Sequence, residues 1–463
     1  MNTRRILLAV AATALCMTGI AQDLSINECN CFCVIAGRNT TVDGSVLMAH
    51  NEDDSGEMML NMYASPRSEG QYGFLWAEFP GTQVVDHFLN EWGVAFASDG
   101  CMSREDRSDL TDGGWLYEVR LNGAKNARSA REAVKYIGRM VEKYGYRDSG
   151  RSYVISDTRE GWVCSVVRGR HWVAQRVPDD MVMALPNNYI IDHVNLQDTA
   201  NFYGSADLVG YARERGWYVP ERDGEFSFKR AYGRPNTYVF TPNVVRQMCA
   251  QMMITGRTDM VPDPDTFPFA VKPNRKIGIP DLMEIMQCHA ENTTHKYSDS
   301  RRPTKWTHPV CICTDVTILS AIFQLRDWMP REVGCVMWVC PGRPCTEAYV
   351  PWHLGITEVP ARWHRCATAA EAEAKHFSDA KNLRERYPDH AYWKGVERWA
   401  GYALDWYGKT DSIKAVRDAY QQRVFKENEQ HEQELKQYYN GTTVTNSDKM
   451  HQCINKFIDK VAQ

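Results

Sequence analysis

The chain has almost no imbalance of charge. Its 54 lysines and arginines face 58 aspartates and glutamates, a net charge of −4 at pH 7. No basic excess advertises nucleic-acid binding. Internal repeats and low-complexity linkers are also lacking, so neither a solenoid nor a string of tethered modules is expected. After residue 21 no apolar run looks long enough to cross a bilayer. No His-Glu-x-x-His is present and the histidines are scattered, so no metal site is expected. General disorder is excluded by composition: 43% hydrophobic and 24% charged residues is the balance of an ordinary folded chain. The length of 463 residues allows a large core and one to three domains.

The first segment differs from the rest. Arg4 and Arg5 precede an uncharged run over 6–21 that ends in Gly19-Ile20-Ala21. A charged start, a short apolar run and a small-residue exit describe a secretory signal. The run is shorter than the roughly 20 residues of a spanning helix. Residues 1–21 are therefore expected to be a signal peptide, and the mature chain to be exported, periplasmic or secreted, and free of the membrane. Of the 15 cysteines, those in an exported chain can form disulfides. Their pairings cannot be read from spacing. Cys311, Cys313, Cys335, Cys340 and Cys345 lie in apolar or Pro/Gly-rich text and read as buried thiols or disulfides, not zinc ligands.

Residues 33–36 and 45–49 are short apolar runs joined by a polar turn that ends in Asp43-Gly44, a hairpin signal. Ser129 to Glu132 reads as a capping box. Ala133, Val134, Ile137 and Val141 then recur at helical spacing, and Gly145 closes the helix. Residues 153–156 and 162–166 predict a second strand pair with a turn over 157–161. Further strands are expected over 311–324, 336–340 and 348–352. From 367 to 439 the text shifts to Ala, Glu, Lys, Arg and Gln, which favours helices. Its charged part, 426–436, reads as a solvated helix face. The pattern is α+β: a mixed core followed by a helical C-terminal region.

Chemistry concentrates between Glu28 and Asp53. Cys31 begins the first strand, and a hairpin of this length returns His50, Asn51 and Asp53 beside it. A cut before Cys31 would release residues 22–30 as a propeptide. It would also create an α-amine with a pKa of about 7.7–8.0 next to the thiol. One residue would then supply nucleophile and base, and a carboxylate at Asp53 could orient the amine. The same Cys-x-Cys-x-Cys run also suits structural cysteines in a disulfide-rich hairpin.

The segment resembles the opening of the dipeptidase A family of N-terminal-nucleophile (Ntn) cysteine hydrolases. That family opens with Cys, a short apolar strand, Gly, a basic stretch, Asp-Gly-Ser and an Arg-Asn-Glu-Asp-like motif. Here Cys31, Gly37, Asp43-Gly44-Ser45 and His50-Asn51-Glu52-Asp53 stand in that register. Further blocks are similar: Asn90-Glu91-Trp92-Gly93-Val94, the helix at Ala130, the hairpin at Tyr153, the stretch His171 to Asp180, Asn187, and the late Tyr349-Val350-Pro351-Trp352-His353. The resemblance implies a four-layer αββα sandwich of antiparallel sheets between helical layers, with residues 31–365 as catalytic core and 366–463 as a helical region packed on it. It implies peptide-bond hydrolysis on dipeptides or short peptides, without metal or organic cofactor, with Cys31 as nucleophile, Asp53 orienting the amine and Asn187 donating to the oxyanion. Asn51 and Arg230 are expected at the substrate. His50 stands where relatives usually carry Arg, which makes support of a thiolate pH-dependent or passes it to another residue. Two other readings share the scaffold: an amidase like bile-salt hydrolases or penicillin V acylases, and an exported binding protein without catalysis. A homo-oligomer is compatible with all three.

Overall fold

Short apolar runs separated by Gly- and Asp-containing turns become strands throughout the first half of the chain. A computed structural model describes residues 31–462 apart from 55–57, 108–110, 112, 113, 240, 292, 294–310 and 315. The expected signal peptide and propeptide lie outside the described residues. Fifteen strands build two large sheets. They are β1 (Phe32–Ala36), β2 (Val46–Asp53), β3 (Asn61–Ser65), β4 (Phe74–Glu78), β5 (His87–Asn90), β6 (Ala95–Gly100), β7 (Tyr146–Ser156), β8 (Gly161–Gly169), β9 (Trp172–Val177), β10 (Val182–Leu185), β11 (Phe202–Gly204), β12 (Ala270–Val271), β13 (Thr317–Leu325), β14 (Cys335–Pro341) and β15 (Val350–His353). The first sheet runs β12-β10-β1-β2-β13-β14-β15, and the second runs β11-β9-β8-β7-β6-β5-β4-β3. The neighbouring strands pair antiparallel.

Burial explains the continuous apolar text of the strands. Every residue of β1 is buried, as expected for a strand covered on both faces. One core cluster takes Cys33, Ile35 and Met48 from the first sheet and Leu75, Ala97 and Val154 from the second. A second puts Phe32, Val34 and Leu47 against Val245 and Leu282, from helices Thr241–Thr255 and Ile279–Met286. A third joins Trp76, Phe96 and Ile155 to Val134 and Ile137, from helix Ala130–Tyr144. Gly138 lets that helix approach closely, since a Cβ there would sit 2.0 Å from the ring of Trp172.

The local signals translate directly. Ser129 accepts from the backbone N–H of Glu132, and Gly145 ends the helix at φ 78°. Gly44 takes φ 84° in the turn between β1 and β2, while Asp43 Oδ1 accepts from Ser45 N at 3.1 Å. The strand expected over 311–324 begins only at Thr317. Before it, Thr314 N donates to Thr317 Oγ1 at 3.0 Å, a local bond that replaces the ladder. A register shift at Thr317/Leu319 marks the entry to the sheet.

Helices Ala391–Leu435 and Ser447–Val461 form the C-terminal region. On the first, Val424, Asn428, His431 and Leu435 are buried, whereas Lys426, Glu429 and Glu434 are exposed. The charged run is thus solvated on one side, as its composition predicts, while its other side, with Asn428, His431 and Leu435, is buried. Arg326 at the end of β13 grips Glu432 with two hydrogen bonds of 2.8 Å. His353 Nε2 lies 2.9 Å from Asn428 Oδ1. Among the described residues, no helix is long and apolar enough to cross a membrane.

Candidate active site

Strand register decides what Cys31 meets. Cys33 pairs with His50 and Phe32 with Asn51, so Cys31 falls opposite Glu52. Paired residues share a face, and faces alternate along the strand. Cys31, Cys33, His50 and Glu52 therefore point toward the second sheet, while Asn51 and Asp53 point toward the helices. Cys31 is 5% exposed. Its Sγ lies 3.3 Å from Glu52 Oε1 and 3.7 Å from the carbonyl oxygen of Asp53. Burial pushes the thiol well above its ordinary range, and Glu52, Asp99 and Asp53 add to the effect.

His50 lies inside a fixed chain of hydrogen bonds. Its Nδ1 is 2.7 Å from His87 Nε2, and its Nε2 is 2.7 Å from Asp99 Oδ1. His87 Nδ1 faces the carbonyl of Val85 at 2.8 Å. A carbonyl only accepts, so His87 carries its proton on Nδ1. With His87 neutral, His87 Nε2 accepts and His50 Nδ1 donates. Burial holds both histidines well below the usual range, with Arg120 also opposing charge on each. A neutral His50 then accepts at Nε2, and Asp99 supplies the proton. Burial raises Asp99 to about 8, against the pull of Arg246 and Arg151. The chain reads Asp99–His50–His87–Val85, with the mobile proton on Asp99. Glu52 completes this wall: burial raises it well above the carboxylate range, against Arg120 and Arg151.

The other expected residues divide clearly. Asp53 accepts from Thr317 Oγ1 at 2.6 Å and from Thr314 Oγ1. Burial raises it to about 7, and the two hydroxyls pull it down. Asn51 uses its amide to donate to the carbonyls of Met286 and Ile312, both at 2.9 Å. It tethers β2 to the helical side. Asn187 is buried and donates to the carbonyl of Gly100 at 3.0 Å, the residue after Asp99. Its Oδ1 accepts from Arg246 Nη2 at 2.9 Å. Arg230 sits on the exposed side of helix Phe228–Tyr232 and pairs with Asp265 at 2.9 Å. The arginine that reaches Asn187 is Arg246.

Sequence reasoning did not reach Glu52, His87, Asp99, Arg120, Arg151 or Arg246. Glu52 had a signal, since it lies two residues from His50 on the same strand face. The others come from distant elements. Ligand atoms of His50, Glu52 and His87 gather within 4.8 Å, as do those of Cys31, His50 and Asp99. The 2.7 Å between the two histidine nitrogens is a hydrogen-bond length. Two nitrogens on one tetrahedral zinc, each at about 2.0 Å, would stand roughly 3.3 Å apart.

Two antiparallel sheets with C-terminal helices, and a buried thiol among acids and amides, define an α+β protein with a cysteine-centred site. The model of peptidase family C69 matches residues 117–392, more than half of the chain, and the chain belongs to this family of cysteine peptidases. The matched span begins after Cys31 and includes Asn187 and Arg246. A protein named "Probable dipeptidase" from Salmonella dublin is 27% identical over 70% of this chain and 81% of its own length. Another of that name from Latilactobacillus sakei is 24% identical over 80% of this chain and 85% of its own. "Dipeptidase A" of Lactobacillus helveticus is 24% identical over 73% of this chain and 78% of its own.

Proposed function

We propose that the chain is an exported dipeptidase that hydrolyses dipeptides or short peptides through a thioester on Cys31. Removal of residues 22–30 makes Cys31 N-terminal, and residues 31–365 fold as a four-layer αββα Ntn-hydrolase core. The observation that carries the reading is the position of Cys31 at the mouth of β1, opposite Glu52 and against Asp53. The three core clusters support the layering, because each sheet has one face toward the other sheet and one toward helices. The names of the relatives support the substrate class.

In the unprocessed chain, burial and three carboxylates hold the thiol neutral. Processing adds an amine with a pKa of about 7.7–8.0 beside it. Glu52 Oε2 and Asp99 Oδ2 are buried acceptors without a hydrogen-bond partner among the described residues, which suits an incoming N–H donor. The neutral amine takes the thiol proton, and the thiolate attacks the scissile carbonyl. The ammonium returns a proton to the leaving amine, and water releases the acyl half. Asp53 orients the amine. Asn187 donates to the oxyanion, a contribution of about 3 kcal/mol for one well-placed donor. Arg246 is a positioning residue: by donating to Asn187 Oδ1 it fixes which end of the amide carries the N–H groups.

The first test is intact mass and terminal sequencing of the mature protein, which should begin at Cys31. An active enzyme beginning at Gln22 would remove the amine from the mechanism. Cys31→Ala should lower dipeptide turnover by at least about a thousandfold with near-UV circular dichroism unchanged. Turnover retained in the folded variant would end the assignment. Product analysis with dipeptides against conjugated acyl amides separates this reading from an amidase.

A further inference from the structure

We propose that Cys313 and Cys345 form a disulfide, a modification site that fastens the segment holding Asp53 and Asn51. The Sγ atoms of both and a ring nitrogen of His289 lie within 4.8 Å of one another. Cys313 is buried, and Cys345 is partly open to solvent. The pair is chemically asymmetric. Cys345 is held well below the usual thiol range by a hydrogen bond from Cys313, with His289 and Arg343 acting in the same direction against burial. Burial pushes Cys313 up. One thiolate beside one thiol is the arrangement that exchanges with an external disulfide.

The reaction needs a small disulfide as oxidant. Cys345 thiolate attacks one sulfur of it, forms a mixed disulfide and expels a thiolate. The expelled thiolate takes a proton from His289, which then accepts the proton of Cys313 as Cys313 attacks the Cys345 sulfur. The protein disulfide forms, and the second small thiolate leaves. Two protein thiols are oxidised, one external disulfide is reduced, and the two protons leave on the two small thiols.

Position gives the bridge its effect. Ile312 offers its carbonyl to Asn51 at 2.9 Å, and Thr314 donates to Asp53. Cys313 stands between them. On the other side, Arg417 donates to the carbonyl of Cys345 at 2.7 Å. Closure would join, by one covalent bond, the segment hydrogen-bonded to β2 and the segment that Arg417 of the long C-terminal helix holds. The same His and two Cys could be read as zinc ligands. The positive charge of Arg343 acts on both thiols, which favours thiolate and opposes a divalent cation. The pairing stands whether or not Cys31 is the nucleophile.

The test uses the full wild-type chain. Native protein is treated with oxidised glutathione, alkylated, digested and mapped by mass. A Cys313–Cys345 linked peptide, lighter by two hydrogens and lost on reduction, is expected. Cys313→Ser should instead collect a mixed glutathione disulfide on Cys345. Amide exchange over 311–314 should slow by roughly tenfold on oxidation. A link from Cys345 to another cysteine would overturn the proposal, as would accessible thiols that never link. Stoichiometric zinc that shields both thiols until a chelator removes it would replace it with a metal site. Equal exchange in both redox states would remove the fastening role.

Discussion

At the scale of single residues, the Asp99–His50 pair controls both charge and stability. The chain ends on the carbonyl of Val85, so proton positions follow from one fixed acceptor. Asp99 keeps its proton to about 8 because burial disfavours its charge. In an unfolded chain an aspartate titrates near about 3.9. The folded state thus binds the proton more tightly, and stability from this group is complete below about pH 4. It declines as pH rises and is lost above about 8. Asp99→Asn retains an N–H donor for His50 Nε2 and removes the titration. Unfolding free energies from urea titrations at pH 5 and pH 8 should then differ less in the variant than in the parent, by on the order of a few kcal/mol. Asp53 and Glu52 remain, so some slope should persist. Parallel pH dependence in the two proteins would show that Asp99 is ionised in the fold. The resemblance leads one to expect an arginine where His50 stands, and the neutral histidine leaves no gap in charge. Arg120 and Arg151 from the facing side already place permanent charge beside Glu52.

At the scale of elements, β2 organises the site, because its register against β1 and β13 positions every neighbour. Thr317 pairs with Asp53 across the ladder and donates to it at 2.6 Å. Thr317→Val keeps the shape and strand preference and removes that donor. Losing a bond to a buried carboxylate costs about 1–3 kcal/mol. It should also raise Asp53, now at about 7, and move the acid limb of kcat/KM upward by about one pH unit. A lower melting temperature with an unmoved limb would mark Thr317 as structural only. Elements with local signals were legible in the sequence: the Ser129 cap and Gly145 stop, the Asp43-Gly44 turn, and the Tyr153 and Trp162 strand pair. Cys31, His50 and Asp53 were legible because one hairpin returns on itself. His87, Asp99, Arg120, Arg151 and Arg246 were not. They come from β5, β6, helix Glu118–Asn126, β7 and helix Thr241–Thr255, and no spacing rule links five separate elements. Arg230 stood in suitable text, but its helix directs it to solvent.

At the scale of the whole molecule, the C-terminal helices are joined to the sheet by a polar clasp. Arg326 donates to the carbonyls of Gly334 and Val333 at 3.0 and 3.2 Å and to both oxygens of Glu432. Its planar fork suits four such bonds, which a lysine could not reproduce. Burial raises Glu432, but Arg326 outweighs it and holds the carboxylate below its usual range. This group therefore contributes stability above about pH 4.3, lost as pH falls through the depressed value. Its sign is opposite to that of Asp99. Acid should loosen the C-terminal helix from β13 while the centre beneath Cys31 stays protonated and intact. Arg326→Met leaves Glu432 partly buried without its partner, a loss of about 3 kcal/mol. Removing both charges with Arg326→Met and Glu432→Leu should recover much of that loss, since the stranded charge is the larger part of the cost. Thermal melts of the parent, the two single variants and the double variant at pH 7 provide the cycle. Additive losses would mean that the two side chains act independently and that apolar packing alone holds the helix on the sheet.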